Sequence, residues 1–199
     1  MPIYSKQKKH ILFIHIPKSG GSSISKMFKD KRWEESYIIR GKSLDEIKYI
    51  KCSSQHFHNE IIREIFNLNE FDKIFTLVRD PFERIKSEYY WQLKQNIISN
   101  IKPDDWFKEV LVEYKKNKFI YDNHIRPQNE FIFKQVKIFK IEEGIKSVYE
   151  YIFEQKPFIF FNETTLKKSK RNNLIEDQFS KIKGKIKDFY AKDYDLFNY

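Results

Sequence analysis

The segment Pro17–Ser23 places one lysine beside two glycines and three serines. Glycine lets a backbone approach an oxyanion closely, and serine hydroxyls add hydrogen-bond donors. These residue types predict a loop that binds phosphate or sulfate; the alternative is an ordinary strand-to-helix turn capped by Ser22 or Ser23. Lys18 precedes both glycines, unlike the lysine of a Walker A loop, so a nucleotide-dependent kinase is only the second choice.

A second segment suited to anion binding is Arg79–Tyr89, which reads RDPFERIKSEY. Asp80 suits a helix N-cap, Pro81 the first helical position and Glu83 the reciprocal capping position. Arg79 then leaves a strand beside the helix start, where its guanidinium can make a bidentate contact with phosphate. Taken alone, the segment also fits a capped surface helix with incidental charge.

Apolar runs directly before these two segments predict the strands that position them. Ile11–Ile16 and Ile74–Val78 are typical of buried parallel strands, and Val136–Ile141 alternates like a third strand. Helical patterns occur at 24–28, 61–66, 81–89, 104–120, 145–153 and 176–190. Repeated strand–loop–helix units predict a three-layer α/β fold, with a central parallel sheet flanked by helices and the ligand at the carboxyl ends of the strands. Without a linker signal, we expect residues 1–199 to form one domain.

Charge and cysteine content limit the classes of protein to consider. The chain has 38 Lys+Arg against 28 Asp+Glu, and a net charge of +10 favours an anionic partner. Cys52 is the single cysteine, which excludes an intrachain disulfide and a zinc finger. No apolar run approaches the ~20 residues of a membrane span, and the first ten residues do not resemble a secretory signal, so we expect a soluble cytoplasmic protein. A basic nucleic-acid-binding module is a rival without a helix-turn-helix, zinc or RNP motif, so we expect no nucleic-acid partner.

Two motifs resemble those of the carbohydrate sulfotransferases that use 3′-phosphoadenosine 5′-phosphosulfate (PAPS), in particular the branch of heparan sulfate 2-O-sulfotransferase. His15–Ile24 resembles H-x-P-K-[ST]-G-G-[ST]-[ST], and Arg79–Tyr89 resembles R-D-P-x-x-R-x-x-S-x-Y. The resemblance implies a P-loop-like sulfotransferase fold and PAPS as the sulfuryl donor, with no metal required. It implies that Arg79 and Ser87 bind the 3′-phosphate. The loop residues implied to hold the 5′-phosphosulfate are Lys18, Ser19, Gly20, Gly21, Ser22 and Ser23.

Weaker matches extend the resemblance over most of the chain. His124–Gln128 resembles the H-x-R-P-Q segment of the family, and Asp193–Tyr199 resembles its D-[FY]-x-L-F-G-Y terminus. The basic stretch Lys167–Arg171 falls where related enzymes have a loop that closes over the nucleotide. This resemblance places Lys170 and Arg171 among the nucleotide-binding residues, with a solvated charged face as the alternative.

Sulfuryl transfer also needs a base to take the proton of the acceptor hydroxyl, and histidine suits this role near neutral pH. His56 and His58 lie between the two phosphate segments, and the 2-O-sulfotransferase branch carries an H-x-H pair at about this location. In an extended segment the two side chains would project to the same side. We predict His56 or His58 as the base, with Lys18 neutralising charge on the leaving oxygen. The alternatives are Glu60 as the base, a metal site at the two histidines, or a structural histidine.

The acceptor implied by the resemblance is a carbohydrate hydroxyl, on an acidic or neutral glycan. A tyrosyl or small-molecule hydroxyl is the alternative acceptor. His15 is expected to pack at its strand end, and His124 and Arg126 are expected either to face the acceptor or to support the fold.

Overall fold

The computed structural model of the chain describes residues 1–39, 46, 48–156 and 172–199. A five-stranded mixed sheet forms its centre, in the order β3-β1-β2-β4-β5. The strands are β1 Ile3–Lys6, β2 Lys9–Ile14, β3 Glu34–Ser36, β4 Lys73–Val78 and β5 Lys137–Lys140. Strands β2, β4 and β5 are parallel, whereas β1 runs antiparallel to both β2 and β3.

The three parallel strands are those that the apolar runs predicted. Buried side chains of β2 and β4 alternate between the two sheet faces, and both faces are covered, which explains the nearly continuous apolar sequence. The pair Phe13↔Phe75 fixes their register. Strand β2 ends two residues earlier than predicted, because the Ile16 amide turns back to donate to the Ile14 carbonyl at 3.2 Å.

The antiparallel edge formed by β1 and β3 was not predicted. Both strands are short and partly polar, so neither carries a distinct apolar pattern. A two-residue turn joins β1 to β2, and Gln7 adopts a left-handed conformation there (φ 55°). This edge leaves the predicted parallel core of the sheet intact.

Eight helices surround the sheet within the described part of the chain. They are α1 Gly21–Asp30, α2 Asn59–Ile65, α3 Pro81–Lys94, α4 Pro103–Lys116, α5 Lys146–Phe153, α6 Asn173–Lys181, α7 Lys183–Phe189 and α8 Ala191–Phe197. The predicted start of α3 is confirmed: Asp80 accepts the Glu83 amide at 2.8 Å and Pro81 is the first helical residue. The single helix predicted for 176–190 is wrong, because the chain breaks at Ile182 between α6 and α7.

Three hydrophobic clusters divide the core and confirm the layered α/β arrangement. Residues of α1 and α5 pack on one face of the sheet, and residues of α2 and α8 pack on the other. Helices α3, α4, α6 and α7 share a third cluster. No helix within the described ranges combines the length and the apolar character needed to cross a bilayer.

Candidate active site

The glycine loop lies between β2 and α1, as the sequence predicted. Gly20 caps α1 in a left-handed conformation (φ 93°), and an added Cβ would lie 2.4 Å from Cδ1 of Ile141. A Cβ on Gly21 would lie 2.0 Å from Nε2 of His15. Both glycines are therefore required by their contacts. Within the described structure no side-chain hydrogen bond caps α1, so its first turn presents amide groups and the positive end of the helix dipole to an anion.

Lys18 holds a half-buried ammonium group beside this loop. Its Nζ lies 5.1 Å from the centroid of the Trp91 ring, a cation–π distance. Burial lowers the pKa of Lys18; the Glu88 carboxylate opposes that shift, and Arg79 adds to it. The Arg79 guanidinium donates from Nη1 to the Lys18 carbonyl at 3.2 Å. The two predicted phosphate segments are therefore in direct contact.

Gln128 joins the same two segments through its side-chain amide, which is fully buried. Its Oε1 accepts from Ser19 Oγ at 3.3 Å and from the Arg79 amide at 3.0 Å. Its Nε2 donates to the Arg79 carbonyl at 2.8 Å. The Asp193 carboxylate fixes Gln128 in turn by accepting its backbone amide at 2.8 Å. Ser19 is thus placed to hold the loop, whereas Ser22 is exposed and Ser23 half-buried.

The second segment separates into structural and accessible residues. Arg84 is fully buried and donates to the carbonyls of His124 at 3.0 Å and Arg126 at 2.7 Å. Arg79 and Ser87 are only partly buried, at the start and on the second turn of α3. Arg79 and Ser87 therefore remain accessible to a ligand, while Arg84 stabilises the segment around His124.

Lys170 and Arg171, which the resemblance placed over the nucleotide, lie outside the described residues.

His56 belongs to a buried hydrogen-bonded group that includes an aspartate distant in sequence. Its Nδ1 lies 2.7 Å from Oδ2 of Asp122, and Asp122 also accepts the Ser53 hydroxyl at 2.6 Å and the Ser53 amide at 2.5 Å. Burial lowers the pKa of His56 to about 4. Burial alone would raise the pKa of Asp122, but hydrogen bonds from His56 and Ser53 lower it to about 2. At neutral pH His56 is therefore a neutral ring that donates Nδ1–H to a carboxylate, which leaves the lone pair of Nε2 as an acceptor.

The predicted extended H-x-H segment is wrong. Ser54–His56 forms a 3-10 turn and His58 caps α2, so the two histidines do not share one face of a strand. The His58 ring packs on Phe119 at 5.5 Å and on Phe131 at 6.5 Å. Its Nε2 lies 3.5 Å from the carboxylate of Glu60, whose side chain is 85% exposed. His58 therefore packs against two phenylalanines, and Glu60 extends into solvent.

Three histidines and one tryptophan form a continuous row of rings. Ring centroids are 4.9 Å apart for His15 and His56, 5.0 Å for His56 and His124, and 5.0 Å for His124 and Trp91. His15 packs at its strand end, as expected, and burial with the nearby His56 lowers its pKa. His124 had been linked to the acceptor or to the fold, whereas Trp91 carried no sequence signal. Lys18 stands over the Trp91 end of the row.

Two carboxylates missed by the sequence analysis support this row. Asp122 bonds to His56, and Glu88 bonds to Nδ1 of His124 at 2.6 Å. Glu88 was visible as a letter of the second motif, but nothing indicated its partner. Each pair is a histidine whose Nδ1 faces a carboxylate, the arrangement that orients an imidazole for acid–base work.

His56, Asp122 and His124 also bring together atoms of the kind that bind metal ions. Donor atoms of His56, Asp122 and His124 lie within 4.8 Å of one another. Ligand atoms bonded to one zinc ion at about 2.0 Å would be about 3.3 Å apart. Nδ1 of each histidine is hydrogen-bonded to a carboxylate, so the contacts within this group are accounted for by hydrogen bonds.

An open cleft of about 710 Å³ borders the loop on the side of α1. It reaches the ring of His15 and the first turn of α1. Trp33 provides a broad aromatic face, and the charged lining residues are Lys26, Lys29, Asp30 and Glu35, with Lys26 paired to Asp30 at 2.7 Å.

Comparison with known proteins assigns the chain to a family. The model of the sulfotransferase family matches residues 2–199. No curated protein and no solved structure gives a significant match.

Proposed function

Because the chain belongs to the sulfotransferase family, we propose that it transfers the sulfuryl group of PAPS to an acceptor hydroxyl. The observation that carries the proposal is the joint made by Gln128, which links the glycine loop to the Arg79 segment. That joint brings two anion-binding elements together at the carboxyl ends of β2 and β4. A donor with phosphate at both the 3′ and 5′ positions requires two such elements.

The donor would lie across both elements. The 5′-phosphosulfate binds at the amino end of α1, through Lys18, Gly20, Gly21, Ser22 and Ser23, while Ser19 holds the loop through Gln128. Arg79 and Ser87 bind the 3′-phosphate, because both remain accessible beside the loop. Lys170 and Arg171 complete the proposed nucleotide contacts. The helix dipole and the two cations neutralise the charge of the donor.

Transfer would proceed in line, with His56 as the base. The acceptor oxygen attacks sulfur, the bond between sulfur and the bridging phosphate oxygen breaks, and the acceptor proton passes to Nε2 of His56. Lys18 neutralises the charge that develops on the leaving oxygen. His56 is favoured over His58 and Glu60 because its neutral ring is held by Asp122 and lies within the row of rings that ends at Lys18. The mechanism requires no metal ion.

The proposed acceptor is a carbohydrate hydroxyl, preferably on an acidic glycan. The net charge of +10 and the Trp33 face of the cleft support this choice, because a basic protein attracts acidic ligands and aromatic faces pack on sugar rings. A tyrosyl or small-molecule hydroxyl is the alternative, and membership of the heparan sulfate 2-O branch stays a prediction.

Calorimetric titration with 3′-phosphoadenosine 5′-phosphate, the desulfated donor product, tests the donor site. We expect it to bind much more tightly than AMP or ATP, and we expect Arg79→Ala to abolish that preference. Arg63→Ala is the matched control, because it removes the same charge from an exposed position on α2. A preference for ATP with Mg²⁺ would favour a kinase instead. Binding that lacks any 3′-phosphate preference would refute the proposal.

A further inference from the structure

A second imidazole–carboxylate pair lies next to His56 and has no role in the scheme above. Nδ1 of His124 lies 2.6 Å from Oε2 of Glu88. Glu88 is completely buried and its Oε1 accepts from Gln92 Nε2 at 2.8 Å. Gln92 is itself fixed by Trp106, whose Nε1 donates to it at 3.0 Å. A chain of buried hydrogen bonds therefore holds the His124 ring in place.

Glu88 keeps its negative charge despite this burial. Burial alone would raise its pKa, but His124 and Lys18 lower the pKa below its usual value. A buried ion is costly unless neighbouring groups compensate it. The buried Glu88 carboxylate is therefore compensated by its hydrogen bonds with His124 and Gln92 and by the Lys18 ammonium.

The His124 ring lies within the row of aromatic rings described above. It lies between His56, at 5.0 Å, and Trp91, at 5.0 Å, and the Lys18 ammonium lies 5.1 Å from the centroid of the Trp91 ring. In an in-line transfer the base and the leaving oxygen lie on opposite sides of the sulfur. His124 contacts His56, the proposed base, and Trp91, over which Lys18 stands, so its ring adjoins both partners of the proposed transfer and is near the remaining oxygens of the sulfuryl group.

Resting on the proposed function, we propose that His124 is a further catalytic residue, which donates a hydrogen bond from Nε2 to a sulfuryl oxygen of PAPS. Glu88 is its positioning residue: it accepts Nδ1–H and balances the charge of a ring that carries both protons. His124 thus stabilises the transferring group, while His56 takes the acceptor proton. Arg84 supports the arrangement by binding the His124 carbonyl at 3.0 Å.

Several charged or titratable groups surround the His124 ring. They are His15, Lys18, His56, Arg84, Glu88 and Asp122. Glu88 lies at Nδ1 of the ring, whereas Asp122 lies at Nδ1 of the neighbouring His56.

The test compares calorimetric affinities for PAPS and for 3′-phosphoadenosine 5′-phosphate, measured without acceptor. The two ligands differ only by the sulfuryl group. We expect His124→Gln to weaken PAPS binding about tenfold while affinity for the desulfated nucleotide changes less than twofold. Glu88→Gln should reduce the preference of the protein for PAPS, because the His124 ring loses the carboxylate that orients it. His10→Gln is the matched control, because His10 is an exposed residue near the start of β2.

Equal weakening of both ligands in His124→Gln would indicate a structural role and overturn the inference. Wild-type protein that binds neither ligand would instead refute the proposed function itself. A measurement on the wild type covers the case in which the variant does not fold: the imidazole ¹⁵N resonance of His124 Nε2 should shift on adding PAPS and not on adding the desulfated nucleotide. Identical shifts with both ligands would contradict the proposed contact.

Discussion

Replacing Gln128 by methionine should weaken both the fold and the binding of the donor 3′-phosphate. Methionine has a similar length but can neither donate to the Arg79 carbonyl nor accept from the Arg79 amide and Ser19. The substitution therefore removes the joint between the two phosphate elements and the hydrogen bonds that Gln128 makes with the Arg79 amide and carbonyl.

The expected loss follows from those groups. A buried polar group left without a partner costs about 1–3 kcal/mol, and two backbone groups of Arg79 lose theirs. Because the Arg79 side chain is 19% exposed, water reaches part of this region, so we expect the free energy of unfolding to fall by about 2–4 kcal/mol. A hydrogen bond to a charged group contributes about 1.5–3 kcal/mol, so displacement of Arg79 should weaken nucleotide binding about tenfold to a hundredfold.

Urea unfolding at 25 °C and calorimetry with 3′-phosphoadenosine 5′-phosphate measure the two effects. Gln135→Met is the matched control, because Gln135 is exposed and should change neither quantity. If Gln128→Met matched that control in both assays, the proposed joint would be wrong. Lost stability with unchanged affinity would show that Gln128 supports the fold without placing Arg79 for the phosphate.

Further predictions concern the loop and the pH dependence of stability. Gly21→Ala should destabilise the protein and weaken donor binding, because its Cβ would lie 2.0 Å from Nε2 of His15. Gly184→Ala is the matched control: a Cβ there has no atom within 4 Å, so the substitution should stabilise α7 by up to about 1 kcal/mol in thermal unfolding. Equal melting shifts for the two alanines would contradict the close contact. The pKa of His56, about 4 when folded against 6.5 when unfolded, predicts stability that is full above pH 6.5 and falls by about 3 kcal/mol towards pH 4. Urea unfolding across that range should show a shallower loss in His56→Gln, and an unchanged loss would refute this assignment.

The part of the fold that followed from sequence was the part that local pattern determines. Apolar runs located β2 and β4, and the Asp80-Pro81 cap located the start of α3, because burial on both faces and helix capping are local requirements. The strands β1 and β3 exist through pairing with a neighbour, which no local pattern records. The break at Ile182 likewise depends on tertiary packing of the last helices. That residues 1–199 form one domain stays a prediction.

The candidate site divides in the same way. The glycine loop and the Arg79 segment were predicted, because each is a contiguous stretch beside a strand end. The two carboxylates were not, because Asp122 meets His56 across 66 positions and Glu88 meets His124 across 36. The H-x-H expectation failed for a local reason: the Ser53 carbonyl accepts the His56 amide at 3.0 Å and closes a turn. The nucleotide roles of Lys170 and Arg171 stay predictions.

The two buried carboxylates explain how one site could attract a highly charged anion and still contain bases. A bare carboxylate facing the donor would repel it. Here Asp122 is hydrogen-bonded to Nδ1 of His56 and Glu88 to Nδ1 of His124, so each carboxylate faces an imidazole ring. Lys18 and Arg79 lie at the nucleotide side, in contact with each other through the Lys18 carbonyl. In the proposed mechanism, positive charge therefore meets the donor, while the two carboxylates lie behind the rings and orient one imidazole as a base and the other as a hydrogen-bond donor.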